Sequence, residues 1–163
     1  MDQVIKKSCV AVDPSVNNCG LTVFIDNELI TAELLHPSKE NVDAHYSVRA
    51  RDMCFKVRAI YRKIKDLDPK TRLIVEIPEH HGVSAYQSRE TGSLYKLTFV
   101  CGMIYGIADD AIGYQPSGWK GQLSKEIVRN RLTRDYPDKN IENLDHNIVD
   151  SIGIGHKYIY GRV

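Results

Sequence analysis

Three apolar segments joined by very short turns fill the first 35 residues, and this spacing restricts the fold more than any other feature of the sequence. Residues 8–13, 20–26 and 28–35 are predicted strands, with the turn Pro-Ser-Val-Asn-Asn before the second and Asn27 before the third. Connections this short join antiparallel neighbours, because a parallel crossover needs about a dozen residues or more. The chain is therefore predicted to begin with a three-stranded antiparallel meander.

Helices and single strands alternate after the meander. Apolar residues spaced by three and four positions predict an amphipathic helix from Tyr46 to Leu67. Strand, helix, strand and two helices follow at 72–77, about 92–108, 111–115, Ser124 to about Tyr136, and from near Asp145, with loops at 78–91 and 117–121. This order predicts one α/β domain over residues 1–163: a mixed five-stranded sheet, three strands antiparallel and two parallel, with helices on both faces.

The composition agrees with a single domain and excludes several other classes of protein. Hydrophobic residues make up 42% of the 163 residues, enough for a sizeable core. No apolar stretch reaches the roughly 18 residues of a transmembrane helix, and the N-terminus lacks the pattern of a signal peptide, so we expect a cytoplasmic protein with no membrane partner. The four cysteines are widely spaced, which favours reduced thiols over a zinc site or a disulfide scaffold.

The charge of the chain is nearly balanced but unevenly distributed. The formal net charge of +1 does not by itself indicate nucleic-acid binding. Basic residues concentrate in two segments, at 56–72 and 115–139. Either segment fits a phosphate-binding face or an ordinary solvated helix face, and composition alone favours the solvated face.

Three acidic residues occupy positions that are otherwise typical of a buried core. Asp13 follows Val-Ala-Val at the end of a strand, Glu76 follows Leu-Ile-Val, and Asp150 lies within an apolar helix. A buried carboxylate is costly unless it takes a proton or meets a cation. Several carboxylates that converge attract a hard divalent ion such as Mg²⁺, which prefers oxygen ligands. The pattern therefore indicates a metal site built from separate elements.

Four segments, taken in order, resemble motifs of the RuvC family of Holliday junction resolvases. The segments are AVDPSVNNCGLTVF, LIVEIPEHHG, SGWKGQLSKEIV and DHNIVDSIGIG, and together they span nearly the whole chain. The resemblance implies an RNase H-like fold and a metal-dependent endonuclease of a small, phage-type kind. Its substrate would be a four-way DNA junction, cut by paired nicks that leave 5′-phosphate and 3′-hydroxyl ends.

The resemblance also implies the ligands of the metal. Asp13, Glu76 and Asp150 would be catalytic and would bind Mg²⁺ or Mn²⁺, two ions per site about 4 Å apart. Asn147 stands where the family usually has Asp or His, and it is the favoured fourth ligand. His146 and Asp145 are the alternatives, although Asp145 also suits the N-cap of the last helix.

Basic and aromatic residues are the expected DNA contacts. Lys120 and Lys125 resemble the basic pair of the family, and Lys125 is also expected to act in catalysis. In the loop after the second acidic strand, three side chains are expected to stack on bases and one to contact phosphate, namely His80, His81, Tyr86 and Arg89. The alternative is a polar surface loop with incidental histidines.

Two further expectations concern the assembly and the substrate. A four-way junction presents two symmetric strands, and the resemblance implies a homodimer that matches this symmetry. The helix with Gly102 and Gly106 is the candidate interface. The alternative is that this helix packs on the sheet. Other substrates stay open, namely flaps, forks and RNA–DNA hybrids. A non-cleaving protein that binds branched DNA, with Asn147 marking a lost site, is the remaining alternative.

Overall fold

A five-stranded mixed sheet forms the centre of the structure, a computed structural model that describes residues 5–79 and 90–163. Its strands are β1 (Cys9–Asp13), β2 (Cys19–Ile25), β3 (Glu28–Leu35), β4 (Arg72–Glu76) and β5 (Ile112–Tyr114). They lie in the order β3-β2-β1-β4-β5. The first three strands pair antiparallel, whereas β4 pairs parallel with β1 and with β5. The predicted sheet is confirmed.

Five α-helices accompany these strands in the described residues. They are α1 (Tyr46–Leu67), α2 (Ser93–Tyr105), α3 (Pro116–Trp119), α4 (Lys125–Asp135) and α5 (His146–Tyr160). Short 3₁₀ turns occur at Lys39–Asn41, Pro137–Lys139 and Ile141–Asn143. The loop predicted at 117–121 is wrong in its first half, because Pro116 presets a helical φ at the first position of α3.

The core lies in two layers, one on each face of the sheet. Alternate residues of β1 point to opposite faces, as the pleat requires. Cys9 and Ala11 belong to the layer that contains α5, and Val10 and Val12 belong to the layer that contains α1 and α2. Helices on both faces are therefore confirmed.

Helix α5 lies unusually close to the sheet because small residues face it. A Cβ atom added to Gly20 would lie 2.0 Å from the backbone oxygen of Asn147, and one added to Gly155 would lie 2.4 Å from the ring of Phe24. The buried hydroxyls of Thr22 and Ser151 lie 2.6 Å apart and hydrogen-bond across the same contact. This close approach holds the first turns of α5 at the end of β1.

Three of the seven basic residues of the first basic segment form ion pairs within the fold. Lys56 pairs with Asp52, and Lys65 and Arg72 both pair with Asp110. These contacts favour a structural role over phosphate binding for these three residues.

Within residues 5–79 and 90–163, no helix has the length and apolar character needed to cross a membrane. The thiols of all four cysteines are free, and three of them are buried.

Candidate active site

The three acidic side chains singled out in the sequence meet at one edge of the sheet. Strands β1 and β4 are parallel, and Val12 pairs with Val75, so Asp13 and Glu76 end neighbouring strands at the same edge. Asp150 reaches this edge from α5. All three line an open cavity of about 550 Å³. The fold therefore brings together residues that are 63 to 137 positions apart in the chain.

Burial dominates the electrostatics of this cluster. The pKa of Asp13 is raised well above its usual value, first by burial and then by the negative charges of Glu76 and Asp150. Burial also raises the pKa of Glu76, against the opposing effects of Lys120 and of a hydrogen bond from Trp119. The carboxylates thus share a site that lacks enough positive charge of its own.

The three residues considered as a fourth ligand lie at the start of α5. The carboxylate of Asp145 accepts a hydrogen bond from the backbone N–H of Asn147 at 2.8 Å, so Asp145 is the N-cap, as its sequence position allowed. His146 and Asn147 both line the cavity. The amide Nδ2 of Asn147 donates to the carbonyl oxygen of Asn18 at 2.8 Å, which leaves its Oδ1 as the atom available to a cation.

Both predicted lysines line the same cavity. Nζ of Lys120 lies 3.6 Å from Oδ2 of Asp150 and 4.7 Å from the centroid of the Trp119 ring. Lys125 is the first residue of α4, and its neighbour Ser124 caps that helix by accepting from the N–H of Ile127, as predicted. The charges of the two lysines offset part of the repulsion among the carboxylates.

Three further residues at this site were missed by sequence reasoning. Arg49 from α1 and Lys96 from α2 also line the cavity. Nε of Arg49 is buried and has no hydrogen-bond partner among the described residues. Trp119 donates its indole N–H to Oε2 of Glu76 at 2.6 Å. A lone lysine within the mostly apolar α2 was the available signal for Lys96, and the motif SGWKGQLSKEIV was the available signal for Trp119. Arg49 had none.

Four predicted DNA contacts lie outside the described residues, namely His80, His81, Tyr86 and Arg89. The chain just before them is held against α3, because a carboxylate oxygen of Glu79 accepts from the backbone N–H of Ser117 at 2.8 Å. Their roles stay predictions.

A divalent ion fits the chemistry of these residues. In the part of the chain that the structure describes, no three His, Cys, Asp or Glu side chains are already arranged to hold a metal. Lys120 lies beside Asp150, and Trp119 is bonded to Glu76, so one oxygen of each acid faces a protein partner. The donor set is nevertheless three carboxylates and one amide oxygen around one cavity, and Mg²⁺ and Mn²⁺ prefer oxygen ligands of these kinds.

Comparisons with known proteins define the class of fold. No family model and no curated protein sequence matches the chain. Among solved structures, the chain is similar to Thermus thermophilus RuvC in complex with a Holliday junction substrate, at 18% identity and a TM-score of 0.71 over 95% of this chain and 94% of that one. Another structure of T. thermophilus RuvC gives 15% identity and a TM-score of 0.65, over 94% and 95% of the two chains.

A eukaryotic structure extends the likeness. The yeast mitochondrial Holliday junction resolvase Ydc2 gives 9% identity and a TM-score of 0.57 over 97% of this chain and 82% of that one. The architecture is therefore the RNase H-like fold. More narrowly, it is the form of that fold seen in RuvC, which confirms, at the level of fold, the resemblance carried by the four sequence motifs.

Proposed function

We propose that this protein is a metal-dependent endonuclease that resolves four-way DNA junctions by paired nicks. The observation that carries this proposal is the cavity where Asp13, Glu76 and Asp150 meet, within a fold shared with RuvC over nearly the whole chain. A protein that only binds branched DNA has no physical need for three costly carboxylates at one point.

The charges around the cavity suit a phosphodiester. The acids are grouped together, and cationic side chains from four separate segments surround them, namely Arg49, Lys96, Lys120 and Lys125. These cations attract the DNA backbone, whereas the acids alone would repel it. A phosphate drawn to the cations is held against the carboxylates.

The roles of the residues follow from this arrangement. Asp13, Glu76, Asp150 and the amide oxygen of Asn147 would hold one or two Mg²⁺ or Mn²⁺ ions, which when bound supply an activated water and stabilise the leaving 3′-oxygen. All three acids interact with one another, and Asp13 ends the middle strand β1 of the sheet, beside β4 and close to α5. Lys120 and Lys125 bind phosphate oxygens and offset the charge that develops on them.

The direct test is cleavage of a synthetic mobile four-way junction beside flap, fork, duplex and RNA–DNA hybrid controls, each with Mg²⁺ or Mn²⁺. We expect paired symmetric nicks in the junction and slower cleavage of the controls. Equal cleavage of all branched forms would favour a general branched-DNA nuclease. Junction binding without cleavage would favour a protein that has lost its catalytic function.

Lys125→Met is expected to slow junction cleavage about 10²-fold, because it removes one charge that stabilises the reacting phosphate. The side chain is exposed, so the protein should stay folded at the assay temperature, with only a slightly lower melting temperature from the lost charge beside the acids. Single-turnover cleavage with saturating enzyme measures the effect. Lys63→Met, which replaces an exposed lysine of α1 that does not line the cavity, is the matched control. Equal rates in the two variants would remove Lys125 from the catalytic residues.

We further propose a homodimer formed through α2. This helix exposes three aromatic side chains, Tyr95, Phe99 and Tyr105. A Cβ added to Gly102 would meet no atom within 4 Å among the described residues, which argues against packing on the sheet at this position. Gly106 lies just beyond the helix as its C-cap, and its place in the interface stays a prediction.

Gly102→Arg is expected to convert a dimer into a monomer of about 18.5 kDa, because it places a charged side chain on the proposed contact. Sedimentation velocity over a range of protein concentrations measures the change. Ile30→Arg is the matched control, since Ile30 is exposed on β3 at the edge of the sheet. A wild-type protein that sediments as a monomer would contradict the dimer.

A further inference from the structure

Trp119 is the single tryptophan of the chain, and it is hydrogen-bonded to one of the three acids. The residue is 3% exposed, and its N–H donates to Oε2 of Glu76 at 2.6 Å. Charged acceptors make such bonds short and strong. The bond fixes one oxygen of Glu76 and leaves Oε1 for another partner.

The ring itself is held tightly in place. A Cβ added to Gly153 of α5 would lie 2.4 Å from the Trp119 ring, so the indole packs directly on the helix that carries Asp150. The ammonium of Lys120 lies 4.7 Å from the ring centroid, at a distance where a cation is attracted to an aromatic face. The same ammonium is 3.6 Å from Asp150. One side chain thus contacts Glu76, α5 and the lysine beside Asp150.

We propose that Trp119 is a positioning residue for the divalent ion. Its N–H orients Glu76, and its ring holds the ammonium of Lys120 beside Asp150. A bound ion would either share the site with this positive charge or displace it. This role rests on the function proposed above, because that function includes an ion in this cavity. Groups that hydrogen-bond to a metal ligand typically contribute about 10- to 100-fold to metal affinity. Trp119 would act through Glu76 and Lys120, without itself touching metal or DNA.

A single tryptophan this close to Glu76 makes the inference measurable without DNA. Mn²⁺ is paramagnetic and quenches a nearby indole, so a titration with Mn²⁺ should quench Trp119 emission in a saturable way that Mg²⁺ competes away. Glu76→Gln should abolish the saturable component. Calorimetric binding of Mn²⁺ that leaves Trp119 emission unchanged would overturn the inference.

The N–H group is tested by an isosteric replacement. Substituting Trp119 with β-(3-benzothienyl)alanine keeps the shape of the ring on Gly153 and removes the donor. We expect Mn²⁺ affinity, measured from free Mn²⁺ by electron paramagnetic resonance, to fall at least about 10-fold in a protein that stays folded at the assay temperature but melts a few degrees lower. Trp119→Phe, which also lacks the donor, is the second variant and should show at least the same loss.

Tyr136→Phe is the matched control, because it removes the hydroxyl of a partly buried aromatic residue outside the cavity, one that lies 2.7 Å from Nδ1 of His156. Its Mn²⁺ affinity should equal that of the wild type. Wild-type affinity in both Trp119 variants would overturn the inference and leave the proposed nuclease intact. Conversely, a Trp119-dependent Mn²⁺ site in a protein that does not cleave junctions would overturn the nuclease and keep the inference.

Discussion

Asp13→Asn should reduce junction cleavage by at least about 10³-fold while junction binding in metal-free buffer survives. Asn has the shape of Asp but lacks the charge, and Asp13 is one of the three interacting acids of the cavity. DNA affinity depends instead on the cations that line the cavity. Cleavage on a mobile junction and binding by gel shift measure the two effects. Cleavage at the wild-type rate would show that the reaction does not use this cavity.

The same substitution should raise stability without metal. Burial and like charges raise the pKa of Asp13, so the native protein binds its proton more tightly than the unfolded chain does. Native stability therefore falls as pH rises from the usual value of 3.8 through the raised pKa, and at about pH 8 the Asp13→Asn variant should melt about 2–4 °C higher than the wild type. The gap should close below about pH 4.

Metal and a second aspartate provide the controls for this stability effect. Adding Mg²⁺ should raise the melting temperature of the wild type and leave that of the Asp13→Asn variant nearly unchanged. The variant lacks the carboxylate at position 13, one of the negative charges that would bind the ion. Asp110→Asn should lower the melting temperature, since Asp110 is paired with Lys65 and Arg72 outside the cavity. An Asp13→Asn protein that is less stable than the wild type in metal-free alkaline buffer would contradict the electrostatic account.

Gly20→Ala is the substitution with the largest expected effect on the fold. The added methyl group would lie 2.0 Å from the backbone oxygen of Asn147, so backbone rather than a flexible side chain must move. We expect a loss of about 3 kcal/mol, or roughly 6–12 °C in melting temperature. Cleavage should fall further than stability explains, because α5 carries both Asn147 and Asp150 away from Asp13.

Gly118→Ala is the matched control for Gly20→Ala. A Cβ at this position meets no atom within 4 Å among the described residues, so its melting temperature should equal that of the wild type. Thermal unfolding and metal-dependent cleavage below the transition should be measured for both variants. A Gly20→Ala protein with wild-type stability would show that α5 does not lie this close to β2.

Local patterns carried most of the fold. The strand at 28–35 and the helix from Tyr46 to Leu67 have the predicted bounds, because alternation, helical periodicity and turn residues are properties of neighbouring positions. Errors occurred at ends, where capping decides: α2 ends at Tyr105 rather than near 108, and Pro116 begins a helix in a predicted loop. The role of Asp145 as an N-cap is established only by its hydrogen bond from Asn147, and the choice of a fourth ligand stays a prediction.

The sequence by itself determined the order of the elements. It also singled out Asp13, Glu76 and Asp150, because an acidic residue within an apolar segment can be recognised from its neighbours in the chain. Only the tertiary structure added Arg49 and Trp119 to the site. Trp119 lies within a motif, but its bond to Glu76, like the place of Arg49, depends on which helix crosses which edge of the sheet. The placement of each helix is decided by packing between residues far apart in the chain, for example where a glycine allows two backbones to approach closely. Such long-range packing cannot be predicted from a local sequence pattern.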